Sequence, residues 1–280
     1  MCYCFFVQDK IKNFVFSAFI LGLIFIILIP YFSSYLLEKK QREENEIIYQ
    51  ELLAEQAIRL EKKYLTGKFD PAYKKDFVLI PLKYIYAGRD MYLRRETLDA
   101  FIKMEKAAAL DGINLKIASA TRNFDYQNGI WSRKWNGAVL VDGKRLSESA
   151  PSNIERFKKI LEYSAAPSTS RHHWGTDIDI NGADPIYFNS EKGIREYNWL
   201  VKNAGQFGFC QTYNEKGVNR ENGYHEEKWH WSYLPIAREL TQKYANLITI
   251  DDIKGFDGDI YARELNIIDD YVLSINPECL

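Results

Sequence analysis

The residues best suited to chemistry in this chain are its histidines, which number only 4 and fall in two short blocks. The first block, at positions 170–179, reads SRHHWGTDID, and the second, at 224–231, reads YHEEKWHW. Imidazole and carboxylate groups are the ligands that catalytic zinc takes, with three from the protein and a fourth position left to water. The pattern therefore predicts a catalytic metal site, whereas the absence of any CxxC pair excludes a cysteine-rich zinc site of the usual spacing.

The spacing of these residues suggests how such a site could be built. His172 and Asp179 can face one cavity if Gly175 lets the chain turn between them, with His230 arriving from an adjacent strand. Glu227 lies three residues before His230, so it can approach a water at the site without binding the metal. A carboxylate in that position can take the proton of the water as it attacks a carbonyl.

Together, the blocks resemble the signature of the zinc D-alanyl-D-alanine carboxypeptidases of vancomycin-resistance (VanY) type, in the lysostaphin, carboxypeptidase and hedgehog superfamily. That pattern is Ser-x-His-x-x-Gly, an Asp seven residues after the His, and later Glu-x-x-His with an aromatic residue. An upstream block at 119–127, SATRNFDYQ, is similar to the family's Ser-x-x-Arg-Ser-x-x-x-Gln. The resemblance covers residues 75–247. The residues that match the first two blocks are Ser170, His172, Gly175, Asp179, Glu227, His230 and Trp231.

The resemblance implies a role for each of these positions. His172, Asp179 and His230 would bind Zn2+, and Glu227 would be the catalytic base. Arg122 would stabilise the oxyanion or hold a substrate carboxylate, for which its planar guanidinium is suited. The substrate pocket would be lined by Ser170 and Gln127.

Some positions near the predicted site are open to more than one interpretation. Asp177 stands where the family commonly has a small residue, so it competes with Asp179 as the ligand. The spacing favours Asp179, and Asp177 would then lie behind the ligands and orient a ligand or an arginine. Glu226 is an alternative base, but it falls outside the Glu-x-x-His spacing. Trp229 and Trp231 are expected to pack around the strands that carry the ligands.

The elements that must position these residues are short strands mixed irregularly with helices, which indicates an α+β fold. The resemblance adds a small, mostly antiparallel sheet that carries the zinc site, flanked by helices. The predicted helices are 97–110, 152–163, 191–204 and 235–247. The predicted strands are 115–119, 174–180, 207–213 and 228–234.

The N-terminal part has a different composition from the rest. Residues 14–32 contain no charge across nineteen residues, which predicts an uncleaved transmembrane signal anchor. A cleaved signal peptide or a buried core helix is the alternative. The following residues, rich in Glu, Lys and Gln, predict a helical stalk. The predicted domains are 1–37 with the anchor, 38–74 as stalk and linker, and 75–280 as the catalytic domain with a C-terminal helical extension.

Composition and cysteine usage limit the partners. A net charge of −1 with 46% hydrophobic residues argues against a nucleic-acid coat and against disorder. Cys210 and Cys279 could pair in an oxidising compartment, or they could be two independent buried thiols. Cys2 and Cys4 lie before the predicted anchor.

The expected function is zinc-dependent removal of the terminal D-Ala from peptidoglycan stem peptides. An L,D-carboxypeptidase or a peptidoglycan endopeptidase would use the same zinc site, and a non-catalytic cell-wall-binding module is a further alternative. The expected partners are the D-Ala-terminated stem peptide and the lipid bilayer, with no nucleic acid. Two basic residues precede the apolar segment and three follow it, which weakly favours a cytoplasmic domain. Peptidoglycan chemistry instead predicts a single-pass anchor in the bacterial cytoplasmic membrane with the catalytic domain outside it.

Overall fold

The computed structural model describes residues 3–86 and 88–280, so that Cys2 lies outside the described residues. The chain forms two compact units, a first that ends at Ile58 and a second that comprises Arg59–Leu280. The helices are α1 (Tyr3–Leu65), α2 (Arg95–Leu110), α3 (Phe124–Trp135), α4 (Leu146–Ser149), α5 (Asn153–Leu161), α6 (Glu191–Asn203) and α7 (Leu234–Leu247). The strands are β1 (Phe77–Leu79), β2 (Tyr92–Arg94), β3 (Ile117–Ser119), β4 (Asp177–Ile180), β5 (Phe209–Gln211) and β6 (His230–Tyr233).

The first unit is a single helical segment of α1. Its most apolar 18-residue window has a mean hydropathy of 2.6, and none of that window is buried. By length and composition, this helix can cross a membrane. A signal sequence near an N-terminus has the same properties, so α1 is a candidate for either role.

The second unit is built on a four-stranded antiparallel sheet in the order β3-β4-β6-β5, with β1 and β2 forming a separate antiparallel pair. The predicted α+β class is confirmed. After α7 the chain continues in short helical turns rather than in a regular helix.

The sequence of β4, Asp-Ile-Asp-Ile, explains the two faces of the sheet. Side chains alternate across a strand, so Ile178 and Ile180 point to one face and Asp177 and Asp179 to the other. The isoleucines, with Trp231 of β6, belong to an apolar core that also contains residues of α2 and α6. The opposite face of the sheet is therefore left to polar side chains.

The last turn of α1 is part of the second unit. Tyr64 and Leu65 are buried in its other apolar core. The Tyr64 hydroxyl donates to the carbonyl of Trp174 over 2.6 Å, and the Trp174 indole N–H donates to the carbonyl of Leu65 over 3.1 Å. The compact unit thus begins at Arg59, earlier than the boundary predicted at residue 75, because these side chains pack the last turn of α1 against the 170–175 segment.

Substituting Leu65→Ala should lower the free energy of unfolding by about 2–5 kcal/mol, because the side chain is 0% exposed and its removal leaves a cavity. The matched control is Leu60→Ala on the same helix, where the side chain is 54% exposed and the expected change is within about 0.5 kcal/mol. Urea unfolding of residues 59–280 measures both. Equal effects of the two substitutions would contradict the burial of Leu65 in this apolar core.

Cys210 and Cys279 form a disulfide bond with their Cα atoms 5.7 Å apart. The bond joins β5 to the C-terminal segment, where the side-chain amide of Asn276 donates to the carbonyl of Gln211 over 3.1 Å. The last residues of the chain are therefore fixed to the edge of the central sheet.

Reducing this disulfide should destabilise residues 59–280 by about 4 kcal/mol, since it closes a loop of 69 residues in the unfolded chain. Urea unfolding with and without reductant measures the difference. A Cys210→Ala, Cys279→Ala variant is the control, because its unfolding midpoint should be the same with and without reductant. An unchanged midpoint on reduction of the wild-type unit would show that the bond does not form in solution.

Candidate metal and active site

Two neighbouring strands carry the centre of the site. In the antiparallel pair β4 and β6, Asp179 lies opposite His230 and Asp177 lies opposite Ser232. All four side chains are buried on the polar face of the sheet. The register thus places a carboxylate and an imidazole side by side, as the two sequence blocks predict.

The third member comes from the turn before β4. His172 lies in a short 3-10 turn, Arg171–Trp174, which ends at Gly175 with φ of 73°. A Cβ atom at Gly175 would come within 2.4 Å of the Phe77 ring, so both the left-handed backbone and the close contact require glycine. This turn brings His172 back over β4.

The three side chains form one cluster of possible metal ligands. The Nε2 atom of His172 lies 3.3 Å from Asp179 Oδ1, and the Nδ1 atom of His230 lies 3.4 Å from that same oxygen. A tetrahedral zinc site with bonds of about 2.0–2.1 Å places its ligand atoms about 3.3–3.4 Å apart. One donor atom from each residue lies within 4.8 Å of the others.

The hydrogen bonds of the two imidazoles to Ala120 and Asp177 use one nitrogen of each ring and leave the other nitrogen facing the cluster. His172 Nδ1 lies 2.9 Å from the carbonyl of Ala120, so Nδ1–H donates and Nε2 carries the lone pair. His230 Nε2 lies 2.8 Å from Asp177 Oδ2 and donates in the same way, which leaves Nδ1. Within the described part of the chain, His172 Nε2 and Asp179 Oδ1 are buried without a hydrogen-bond partner. A metal ion fits these orphaned donor atoms.

Asp177 lies behind His230 in a buried ionic network. Its carboxylate accepts from Arg171 Nε over 3.1 Å and from the hydroxyl of Ser232 over 2.8 Å. Burial alone would raise the pKa of Asp177, but the Arg171 guanidinium and the His230 ring lower that pKa well below its usual range. The sequence left open whether Asp177 is a metal ligand or a residue that orients one. Its carboxylate contacts the His230 nitrogen that faces away from the cluster, so Asp177 is placed to orient His230.

Burial and charge shift the pKa values of the cluster itself. Burial lowers the pKa of His172 to about 4, with the nearby charge of Arg122 acting in the same direction. Burial alone would raise the pKa of Asp179, but His172 and Arg122 lower that pKa to about 2. A neutral His172 imidazole and an ionised Asp179 carboxylate are the protonation states that metal binding needs. Burial alone would lower the pKa of His230, but the Asp177 and Glu227 carboxylates raise that pKa to about 9, so a metal ion must displace a proton from this ring.

Glu227 lies at the open side of the cluster. Its Oε2 atom is 3.2 Å from His230 Nδ1, and its backbone N–H donates to the carbonyl of Tyr213 over 2.9 Å. Burial raises the pKa of the Glu227 carboxyl. Glu226 is placed differently, since the hydroxyl of Tyr197 donates to it over 3.3 Å and it lines a neighbouring groove.

Arg122 approaches the cluster from the end of β3. Its Nη1 atom lies 4.0 Å from Asp179 Oδ2, while its backbone N–H donates to the carbonyl of His172 over 3.2 Å. The Arg122 carbonyl in turn accepts from Nδ1 of His173 over 2.5 Å. His173 therefore holds the backbone of Arg122 and takes no place in the cluster.

The cluster opens into a cavity of about 250 Å³. Ser170 and Gln127 line it, as does Trp229, and the side-chain amide of Gln127 donates to the carbonyl of Ala165 over 2.7 Å. Trp231 lies on the other face of β6, in the apolar core beneath the sheet.

The comparisons with known proteins agree with this arrangement. The family model for "VanY: D-alanyl-D-alanine carboxypeptidase" matches residues 90–236, which is more than half of the chain. The chain belongs to the VanY family. The matched region contains the cluster, Glu227 and Arg122.

Curated relatives of this VanY-family chain are distant in sequence. A protein named putative carboxypeptidase YodJ from Bacillus subtilis is 27% identical over 180 residues, covering 62% of this chain and 58% of YodJ, so less than two thirds of that relative is spanned. An uncharacterized protein from Haemophilus influenzae is 31% identical over 100 residues, covering 31% of this chain and 75% of that protein.

Similar solved structures include the LdcB LD-carboxypeptidase, with a TM-score of 0.46 and 22% identity over 65% of this chain and 81% of LdcB. A second is a mutant of the vancomycin resistance D,D-pentapeptidase VanY in complex with Zn(II), with a TM-score of 0.42 and 22% identity over 63% of this chain and 94% of the other. A third, VanYB in complex with D-Alanine-D-Alanine, has a TM-score of 0.43 and 24% identity, covering 60% of this chain and 88% of the VanYB chain.

Several residues of this VanY-family site are absent from the sequence-based prediction. Arg171 is the partner of Asp177, and Lys134, Tyr213 and Tyr224 line the cavity. Lys134 lies seven residues after Gln127, a spacing that puts both on one helix face. This spacing would have placed Lys134 beside Gln127 in the predicted substrate pocket if residues 124–135 had been predicted to be a helix.

Proposed function

We propose that this chain is a zinc-dependent carboxypeptidase that hydrolyses the bond before the terminal D-Ala of peptidoglycan stem peptides. The observation that carries the proposal is the cluster of His172, Asp179 and His230, with the Glu227 carboxylate at its open side. Three protein ligands with a fourth position left open are typical of catalytic rather than structural zinc. Membership of the VanY family supports the same reaction.

The protein's own residues have separable tasks in this reaction. A bound zinc ion would supply Lewis acidity to the attacking water and the scissile carbonyl. Glu227 takes a proton from the water as it attacks and passes that proton to the leaving amine. The Arg122 guanidinium, beside Asp179, donates hydrogen bonds to the oxygen on which negative charge develops. Asp177 keeps the proton of His230 on Nε2, so that Nδ1 stays available to the metal.

Incubating residues 59–280 with zinc and defined stem peptides, and identifying the products by mass spectrometry, tests the proposal. Loss of one D-Ala from a peptide that ends in D-Ala-D-Ala is the expected result. Cleavage after an L-residue of a tetrapeptide, or within the stem or cross-bridge, would instead identify an L,D-carboxypeptidase or an endopeptidase. Binding without cleavage would indicate a recognition module. Zinc at one ion per chain that persists in a His172→Ala, His230→Ala variant would contradict the site assignment.

We further propose that the catalytic unit acts outside the cytoplasmic membrane, with α1 as a single-pass anchor. Disulfide bonds form and persist in oxidising compartments, so the bond between Cys210 and Cys279 supports an exported unit. The small excess of basic residues after the apolar segment favours the opposite orientation, but it amounts to one residue. A reporter fused after Leu280 that is active only in the cytoplasm would overturn this orientation.

A further inference from the structure

Lys134 is a cation in the wall of the active-site cavity that takes no part in the proposed hydrolysis. Helix α3 carries Gln127, Ile130 and Lys134 at successive turns of one face, and all three line the cavity. The Lys134 ammonium donates to the hydroxyl of Ser164 in the segment before Ser170. Its side chain is therefore held at the cavity wall.

Lys134 forms no ion pair within the part of the chain that the structure describes. Among the residues that the structure describes, no carboxylate oxygen lies within 4.0 Å of its ammonium, whereas Arg122 has Asp179 at that distance. Burial and the charge of Arg122 lower the pKa of Lys134, and the Glu227 and Asp142 carboxylates, which lie beyond ion-pair distance, offset this only in part. A partly desolvated cation of this kind gains stability when an anion binds beside it.

Lys134 lies further along α3 than Gln127, at the part of the cavity wall that is next to Ser164. Seven residues of helix place it about 10 Å along the axis from Gln127. Its partner Ser164 follows Tyr163, which lines both the cavity and a neighbouring groove that also contains Glu226 and Lys228. Lys134 and Ser164 thus belong to the part of the cavity wall that continues through Tyr163 into this groove.

We propose that Lys134, together with the hydroxyl of Ser164, binds a carboxylate of the peptide substrate and thereby determines which peptides the site accepts. The proposal rests on the proposed function in that the ligand is a peptide. Such a peptide offers carboxylates from two sources, its C-terminus and the side chains of residues before the scissile bond. The Lys134 ammonium would bind a carboxylate group in either case.

Binding measurements test this without turnover. The full chain in detergent, carrying Glu227→Gln and loaded with zinc, is titrated with three peptides by calorimetry. These are a stem peptide, the same peptide with its C-terminal carboxylate amidated, and the same peptide with its side-chain carboxylate amidated. Adding Lys134→Met should weaken binding of the parent peptide by about 10- to 100-fold. For one of the two amidated peptides, Lys134→Met should change the Kd by less than about 3-fold. The carboxylate that is amidated in that peptide is the one that Lys134 binds. An unchanged Kd for the parent peptide, or equal losses for all three peptides, would overturn the proposal.

Matched variants separate charge from structure. Lys134→Arg should retain most of the affinity, and Lys158→Met, at a half-exposed position on α5, should have no effect. Ser164→Ala should give a smaller loss with the same dependence on the peptide carboxylate, and it provides the test if Lys134→Met does not fold. Hydrolysis by the chain with Glu227 intact is a separate assay, so failure of the proposed function and failure of this inference are distinguishable.

Discussion

Substituting Glu227→Gln should leave zinc binding unchanged and lower kcat by about 10³-fold. The amide keeps the size of the carboxylate but cannot take a proton from water, and positioned general bases contribute about 10²- to 10⁴-fold. The metal should stay because the cluster consists of His172, Asp179 and His230, with Glu227 beside it. Steady-state hydrolysis of a stem peptide and zinc determination by mass spectrometry measure the two effects.

Glu226→Gln is the matched control for this result. Glu226 is the adjacent residue, but its carboxylate accepts from Tyr197 and lies in the neighbouring groove rather than at the cluster. We expect a change in kcat of less than about 3-fold. A loss that is larger for Glu226→Gln than for Glu227→Gln would move the base to Glu226.

The second large effect is expected for Asp177→Asn. The Arg171 and Asp177 side chains are both 0% exposed, so removing the carboxylate charge leaves a buried guanidinium without its counter-ion. Breaking a buried ion pair from one side costs about 3–5 kcal/mol of folding free energy. The substitution also removes the acceptor that fixes the proton of His230 on Nε2, and loss of such a partner lowers metal affinity by about 10- to 100-fold.

Two measurements on residues 59–280 separate these consequences. Urea unfolding of the metal-free protein reports the loss of the ion pair, and a competitive zinc titration reports the loss of support for His230. Asp251→Asn is the control, because Asp251 also pairs with an arginine but its side chain is 82% exposed, so its expected cost is below about 1 kcal/mol. If Asp177→Asn were no more costly than Asp251→Asn, the buried network would not form as described.

The sequence predicted which side chains come together in the cluster better than it predicted the walls of the cavity beside them. The Asp-Ile-Asp-Ile alternation of β4 and the clustering of the histidines are patterns within short stretches of sequence. The apolar residues of β4 and β6 must face the same core, and this requirement restricts the register of the two strands, in which Asp179 lies opposite His230. Helix α3 was not predicted, because its cavity face carries Gln127 and Lys134 and so the helical periodicity of apolar residues is interrupted. Strands β1 and β2, of three residues each, were also missed. Strands β3 and β5 are as short, but they lie within the longer alternating stretches 115–119 and 207–213.

Partnerships between residues distant in the chain also escaped prediction. The pairing of Cys210 with Cys279 depends on a distance that no local pattern encodes. The burial of Tyr64 and Leu65 depends on where α1 ends relative to Trp174, which is likewise a tertiary contact. Asp177 could be assigned as a support only when its contact with the far nitrogen of His230 was visible.

The disulfide also divides the site covalently. Residues 210–279 form a closed ring that contains Glu227 and His230, whereas His172 and Asp179 lie outside it. The segment around Lys216 and Val218 is exposed and belongs to this ring. A protease that cuts once after Lys216 would open the ring without releasing a fragment, because the piece that carries Glu227 would stay joined to β5 through the bond between Cys279 and Cys210. A chain cut once at this position would therefore still retain every residue of its candidate site.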